Sequence, residues 1–596
     1  MADVRGNPWE HDPGPPSGSG WAELFGETPN YRRLGIEVVG REAFRWHHGP
    51  MFYRGRLDGS ARVMVVGQEG AQDESLAHRS FTGGTGARMQ HLLRFLGLDR
   101  SYLFVNSFVY PIFGQYTLDL RTLAQDPRSP IVSHRQLIYD KAVVDGDVRL
   151  VIAVGRAAKE SVATWIKSHG GTAQPESLHT ASMGNLPNRV RAVGVLHPGG
   201  ASSGSTSAIK ADFARAIGRI RGWLQDDPGW LPVDPGMTRN LSAPFPYSSA
   251  AIPFRDFPFG TCPRLGRGGT SSNRSDNQRA IRLFSAAGKY NASGVQLSDP
   301  STATGSNQGY DDDPGDLPYE PPRASPTAFD AGPPADLARL LMGAEAGFEW
   351  PDFAPLGVTA HPSFGVGPSY RGRFKTLSLV VLADQRSVDD TFTGRALSGD
   401  AGQRFQGVLR AAGLTKRYLI IRTLPVDTTD LSAAKRLSLV DQPMVRALHR
   451  ELLRRVASSN SGITALVAMG PAARRLAPHV APAGLDVLEV AAHGEPGFAA
   501  SWQALLTQLA SRTYTKDLAN PTFDAPSGRS QIPRIDLPYG TPRWVGSSGD
   551  RGVRPIDTDT GKPSPDYLKL FLPAWVAGLA AAPLSPSEQA AADQLT

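Results

Sequence analysis

Two tandem three-layer α/β/α domains, each with a central, mostly parallel sheet, are the fold class this sequence predicts. Three observations lead to it. The chain has 596 residues, too many for a single hydrophobic core. It repeats itself internally, and within each copy short apolar runs alternate with stretches of helical apolar spacing.

The internal repeat sets the architecture. Residues 79–108, RSFTGGTGARMQHLLRFLGLDRSYLFVNSF, align without a gap to residues 395–424, RALSGDAGQRFQGVLRAAGLTKRYLIIRTL, with eleven of thirty positions identical. Ordinary composition gives roughly two or three by chance. YRGR at 53–56 recurs at 370–373, and VIAVGRAA at 151–158 resembles LVAMGPAA at 466–473. Outside both copies, IPFRDFPFGTCPR from Ile252 matches IPRIDLPYGTPR from Ile532, with Cys262 as a one-residue insertion.

Within the first copy, residues 62–66 form an apolar run ending at Gly67. Residues 87–98 place Met89, Leu92, Leu93 and Leu96 at helical spacing. Strands are expected at 102–105, 150–154 and 193–196, and helices at 156–168 and 207–224. Strands that are nearly all apolar describe a parallel sheet covered on both faces. Ligands in such sheets bind beyond the carboxyl ends of the strands.

The expected domain plan is a disordered segment over 1–30, a first domain over 31–229 and a Pro/Gly/Ser-rich linker over 230–334. A second domain over 335–515 and a C-terminal appendage over 516–596 follow. Each IPxxD appendage reads either as a strap on its own domain or as a DNA-contacting arm.

Composition narrows the partners. A formal charge of +7, with 52 Arg against 11 Lys, favours an anionic partner such as nucleic acid. The single cysteine, Cys262, excludes a disulfide framework and any cysteine-held zinc or iron–sulfur cluster. No apolar run approaches the roughly 20 residues needed to span a bilayer, and the polar N-terminus lacks a signal-peptide core. The cytoplasm is the expected compartment, with no membrane partner.

Three strand ends and one loop that opens a helix carry candidate chemistry. After the first strand, Gln68 and Glu69 stand in GQEGAQDES, where a carboxylate can orient water and stabilise a cationic transition state; alone, Glu69 reads as a solvated loop residue. Phe81 opens the loop FTGGTG, which lacks the lysine of a P-loop and otherwise reads as a helix cap with a core Phe. Asn106 ends the second strand with one donor and one acceptor. His197 follows the last strand in LHPGGAS, with no spaced partner for zinc.

Taken together these points resemble the uracil-DNA glycosylase superfamily. GQE at 67–69, Phe81, Asn106 in FVNSF and HPGGAS at 197–202 match the family's motifs in order, over about residues 30–225. The resemblance implies a monofunctional DNA glycosylase that needs no metal or organic cofactor. The same resemblance gives Glu69 the role of positioning water and stabilising the oxocarbenium sugar, and His197 that of hydrogen-bonding the departing pyrimidine. It implies that Phe81 stacks on the flipped base, while Gln68 and Asn106 bind it. Gly84, Thr85 and Ser202 are the phosphate contacts it implies.

Departures from the pattern bear on specificity. Ala201 stands where the family has a Leu wedge, so single-stranded or distorted DNA is the expected substrate. Gly70, Ala71 and Gln72 replace the Pro-Tyr-His of the strict uracil motif, which removes the Tyr that blocks a thymine methyl and admits a larger pyrimidine. The Gly-rich loop resembles that of the iron–sulfur branch, but one cysteine implies a cluster-free member.

In the second copy, Ala383, Asp384 and Gln385 stand for Gly67, Gln68 and Glu69, Arg422 stands for Asn106, and His493 corresponds to His197. No catalysis is expected there. The copy either binds nucleic acid through Arg422 or packs on the first domain. Asp389 and Asp390, which match Asp73 and Glu74, read as a solvated acidic loop. The competing readings are a non-catalytic nucleic-acid-binding protein and a defence glycosylase acting on hypermodified phage bases.

Overall fold

The computed structural model describes residues 10–114, 116–199, 205–261, 329–358, 370–519, 529–542 and 583–596, with short pieces between 281 and 296 and between 552 and 571. In the first half, α1 (Trp21–Gly26) and α2 (Tyr31–Val39) precede β1 (Arg54–Gly55), β2 (Val63–Gly67), α3 (Gln72–Ala77), α4 (Gly84–Phe95) and β3 (Tyr102–Asn106). There follow α5 (Arg121–Gln125), α6 (Pro130–Val144), β4 (Leu150–Val154), α7 (Arg156–Ser168), β5 (Arg191–Val195) and α8 (Thr206–Asp226). The strand order is β1-β3-β2-β4-β5, with β1 antiparallel and the other four parallel.

Pleating sorts the strand residues onto two faces. Met64, Val66, Leu103, Val105, Val151 and Ala153 join one core with Trp165 and Ile166 of α7. Val63, Val65, Phe104, Leu150 and Ile152 join another with Met89 and Leu93 of α4 and Phe213 and Ile217 of α8. Burial on both faces is why these strands read as unbroken apolar runs.

The second half repeats the plan: α9 (Ala335–Leu341), β6 (Tyr370–Gly372), β7 (Leu379–Ala383), α10 (Asp389–Thr393), α11 (Asp400–Ala411) and β8 (Tyr418–Arg422). α12 (Ala433–Val440), α13 (Pro443–Ser458), β9 (Ala465–Met469), α14 (Pro471–Val480), β10 (Val487–Val490) and α15 (Phe498–Ala510) complete it. Its sheet has the same order, β6-β8-β7-β9-β10, with β6 antiparallel. Both halves are therefore α/β with mixed, mostly parallel five-stranded sheets.

The flanking segments are structural where described. Residues 10–30, expected to be disordered, hold α1, and Trp21 and Phe25 are buried in the first-half core. Two aromatic anchors outweigh the Pro/Gly composition. Trp230, Leu231 and Leu241, at the start of the expected linker, are buried against α4 and α8. A final helix, α16 (Pro586–Leu595), packs on α2, where Glu588 accepts from the Asn30 amide at 2.7 Å.

The IPxxD appendages are straps with a buried aspartate. Asp256 Oδ2 sits 2.5 Å from Arg54 Nη1 and accepts from the Tyr102 hydroxyl at 2.9 Å, with Gln90 also on Arg54. Asp536 Oδ2 sits 3.0 Å from Arg371 Nη1 and accepts from Tyr418 at 2.5 Å, with Gln406 on Arg371. All four charged side chains are fully buried.

Beyond each aspartate the strap crosses to the other half. Phe259 enters the second-half core beside Tyr370, and Arg395 Nη1 donates to its carbonyl. Tyr539 enters the first-half core beside Phe25 and Phe52, and Arg79 Nη1 donates to its carbonyl at 2.8 Å. DPGPP at 12–16 and DAGPP at 330–334 form a further repeated pair. Asp12 takes Arg79 Nε at 2.7 Å and Asp330 takes Arg395 Nε at 2.6 Å.

One crossing contact titrates. His78 Nε2 lies 2.9 Å from the Phe392 carbonyl of the second half, and burial lowers its pKa from 6.5 to about 4. The unfolded chain therefore takes up this proton first. The contribution is complete above pH 6.5 and is lost as pH falls through 4, and it amounts to roughly 3 kcal/mol. Urea midpoints are expected to drop across that window, with a shallower drop in His78→Gln; parallel pH profiles for the two proteins would count against it.

Candidate active site

Register brings the first two site points together. Gly67 ends β2, Asn106 ends β3, and the two are direct pairing partners. A Cβ on Gly67 would lie 2.4 Å from Phe81 Cζ and 2.6 Å from Asn106 Oδ1. Only glycine there lets the ring and the amide close on the strand end. Phe81 is held at φ 57° and packs on Phe104 at 4.9 Å.

Asn106 is 6% exposed. Its Nδ2 donates to Ser80 Oγ at 3.3 Å, while Oδ1 has no hydrogen-bond partner. An acceptor left in that state costs about 1–3 kcal/mol, which a ligand N–H would offset.

The carboxylate of Glu69 is held from two sides: Oε2 accepts from the Ile112 amide and Oε1 from Gln68 Nε2 at 3.2 Å. Glu69 is half-buried, not a freely solvated loop residue. Gln68 thus bonds its neighbour Glu69.

His197 lies two residues beyond β5. Gly155, at the end of β4, has φ 84°, and a Cβ there would lie 3.3 Å from that of His197, so the His197 loop folds closely over this strand end. The Gly199 amide donates to Nδ1 at 3.2 Å. In the neutral ring that bond leaves the proton on Nε2, which stands 3.5 Å from Thr85 Oγ1. Gly84 and Thr85 form the first turn of α4, so the Gly-rich loop and the HPGG loop meet. Ser202 and Ala201 lie outside the described residues.

Glu74 ties the loop after β2 to the Gly-rich loop, a role the sequence did not disclose. Its Oε1 accepts from the amides of Thr82 and Gly83 at 3.0 and 3.4 Å, and its Oε2 from Ala71 at 2.8 Å. In the second half Asp390 accepts from the Ser398 amide at 3.0 Å. Asp389 and Asp390 are both 2% exposed, so the expected solvated acidic patch is instead a buried loop anchor. The recurring eight-residue spacing from acid to Thr82 or Ser398 was the available signal.

The second copy's equivalent site is filled by its own side chains. Arg422 is buried and donates to Gln385 Oε1 at 2.7 Å and to the Val426 carbonyl at 2.6 Å. Asp384 accepts from the Ala472 and Ala473 amides at 2.9 Å each, capping α14; burial raises its pKa. Asp400 replaces Gly84 at the start of α11, beside Arg404 and with His493 Nδ1 at 3.5 Å. Burial lowers the His493 pKa against the opposing pull of Asp400. Arg422 is thus spent on internal contacts, and a carboxylate stands at the helix start read as the phosphate contact.

An open cleft of about 500 Å³ in the second half is bordered by Arg474, Val490 and Glu495. None of the residues aligned with the first-half site lines it. Among the described residues no group of His, Cys, Asp and Glu is disposed to hold a metal ion, and no helix is long and apolar enough to cross a membrane. Set against known protein families and curated proteins, the chain matches none.

Proposed function

We propose that the first half is a monofunctional DNA glycosylase that hydrolyses the N-glycosidic bond of uracil or a modified pyrimidine, leaving an abasic site. The observation that carries this reading is the buried Asn106 Oδ1, without a partner, beside the Phe81 ring at the end of β2. A flat ring with an N–H on its edge satisfies both surfaces.

The bond between the sugar C1′ and the base nitrogen breaks with its electron pair on the base. The Nε2–H of His197 donates to the base oxygen that gathers this charge. Glu69 stabilises the oxocarbenium sugar and takes a proton from the water that adds to C1′. The first turn of α4 offers amides to a flanking phosphate. With Ala201 in place of a wedge, the base must already be accessible, so single-stranded or distorted DNA is favoured.

Oligonucleotides carrying uracil or modified pyrimidines, single- and double-stranded, are incubated with the chain and cleaved with alkali. Breaks at the modified position, more abundant in single strands, are expected. Tight binding without breaks for every base would instead favour a nucleic-acid-binding protein.

Gly67→Ala tests the pocket itself. The second copy carries Ala383 here and has lost both Phe and Asn. The added methyl displaces Phe81 or Asn106, and a misplacement of about 1 Å costs about 10²-fold in rate. A folded Gly67→Ala protein with wild-type excision would contradict this pocket.

A further inference from the structure

We propose that the second half sets the geometry of the first half's base pocket through Tyr539. The kinetic part of this inference rests on the glycosylase reading; the structural part does not.

The loop from His78 to Phe81 is strained: His78 and Phe81 are both non-glycine residues in the left-handed region, at φ 54° and 57°. Such residues cost about 1–3 kcal/mol each and persist only where the surroundings over-determine them. Much of the restraint comes from the second half. The Phe392 carbonyl lies 2.9 Å from His78 Nε2, the Tyr539 carbonyl takes Arg79 Nη1 at 2.8 Å, and Gly540 packs on His78.

Arg79 is held further by Asp12 and lies over the Tyr53 ring at 4.9 Å. Ser80, the next residue, accepts from Asn106 and donates to the Met51 carbonyl at 3.0 Å. Phe81, the base-stacking ring, follows. The mirror loop in the second half begins at Gly394, where φ 62° carries no such cost, so it keeps one strained residue, Leu397 at φ 55° in place of Phe81, against two in the first half. The first half therefore holds the more strained loop, and the second half supplies the clamp.

The Tyr539 ring anchors that clamp, packing at 5.0 Å from Phe329 and against Phe25 and Phe52. Its hydroxyl has no hydrogen-bond partner. Its counterpart in the other strap is Phe259. Tyr539 and Arg79 are thus positioning residues, acting through Ser80 on Asn106 and Phe81.

The test compares Tyr539→Ala, Tyr539→Phe and the mirror variant Phe259→Ala in the full chain, by amide hydrogen exchange and single-turnover excision. Tyr539→Ala is expected to speed exchange at residues 78–83 by about tenfold or more, and to slow excision about tenfold in folded protein. Tyr539→Phe should match wild type in both. Phe259→Ala should loosen residues 394–398 and leave residues 78–83 and excision unchanged. If the alanine protein does not fold, Tyr539→Leu takes its place. Unchanged exchange at 78–83 in the folded variant, or equal loosening by Phe259→Ala, would overturn the inference. If wild type excises no base, the exchange comparison still decides it, and only the glycosylase reading falls.

Discussion

Glu69→Gln is expected to excise its base about 10²–10⁴-fold more slowly than the wild-type chain, and His197→Ala to fall in the same range. The two losses have different origins. Glutamine keeps the shape of Glu69 and can still accept from the Ile112 amide and face Gln68, but it carries no negative charge for the oxocarbenium sugar and takes no proton from water. Substrate affinity should therefore survive while the chemical step fails. His197→Ala removes the Nε2–H that the Gly199 amide orients, so charge on the leaving base has no donor. The split is read by comparing binding with single-turnover rate. Wild-type rates in both variants would remove the catalytic assignment.

Asp256→Ala is expected to destabilise the first half by about 3–5 kcal/mol, the cost of leaving a buried partner charge uncompensated. Arg54 has no exposure, and without Asp256 it retains Gln90, the Ser80 carbonyl and the Phe104 face. Asp536→Ala should do the same to the second half through Arg371. Equilibrium denaturation of the full chain is expected to resolve a different weakened half in each variant. A fragment ending at residue 230 lacks Asp256 altogether and is expected not to fold, whereas one ending at 261 regains it but still lacks Tyr539. A stable, cooperative 1–230 fragment would show that the strap is dispensable.

The parts of the fold legible in the sequence were those with local signatures. Runs such as 150–154 are apolar because both faces of the sheet are covered, and α7 spans the residues expected of it. Gly67, Phe81 and Asn106 were recognisable through their places at strand and loop ends, and β-sheet register then accounts for the contact of Gly67 with Asn106. The hidden features depend on groups far apart in the chain. Arg54 and Asp256 are separated by 202 residues, and Arg371 and Asp536 by 165, so neither buried pair has a local pattern. Asp389 and Asp390 looked solvated because a carboxylate's burial depends on the amides that meet it. The occupation of the second pocket by Arg422 follows from Gln385 and the Val426 carbonyl converging on it, which no single position announces.

Mass measurement of single-turnover reactions with uracil-containing and modified-pyrimidine single strands separates base excision from mere binding. One free base per modified site is expected, with a DNA product that has lost the base and gained a hydroxyl at C1′, and both signals lost in Glu69→Gln. Stoichiometric binding that leaves every strand intact, or strand scission without a free base, would contradict the glycosylase reading.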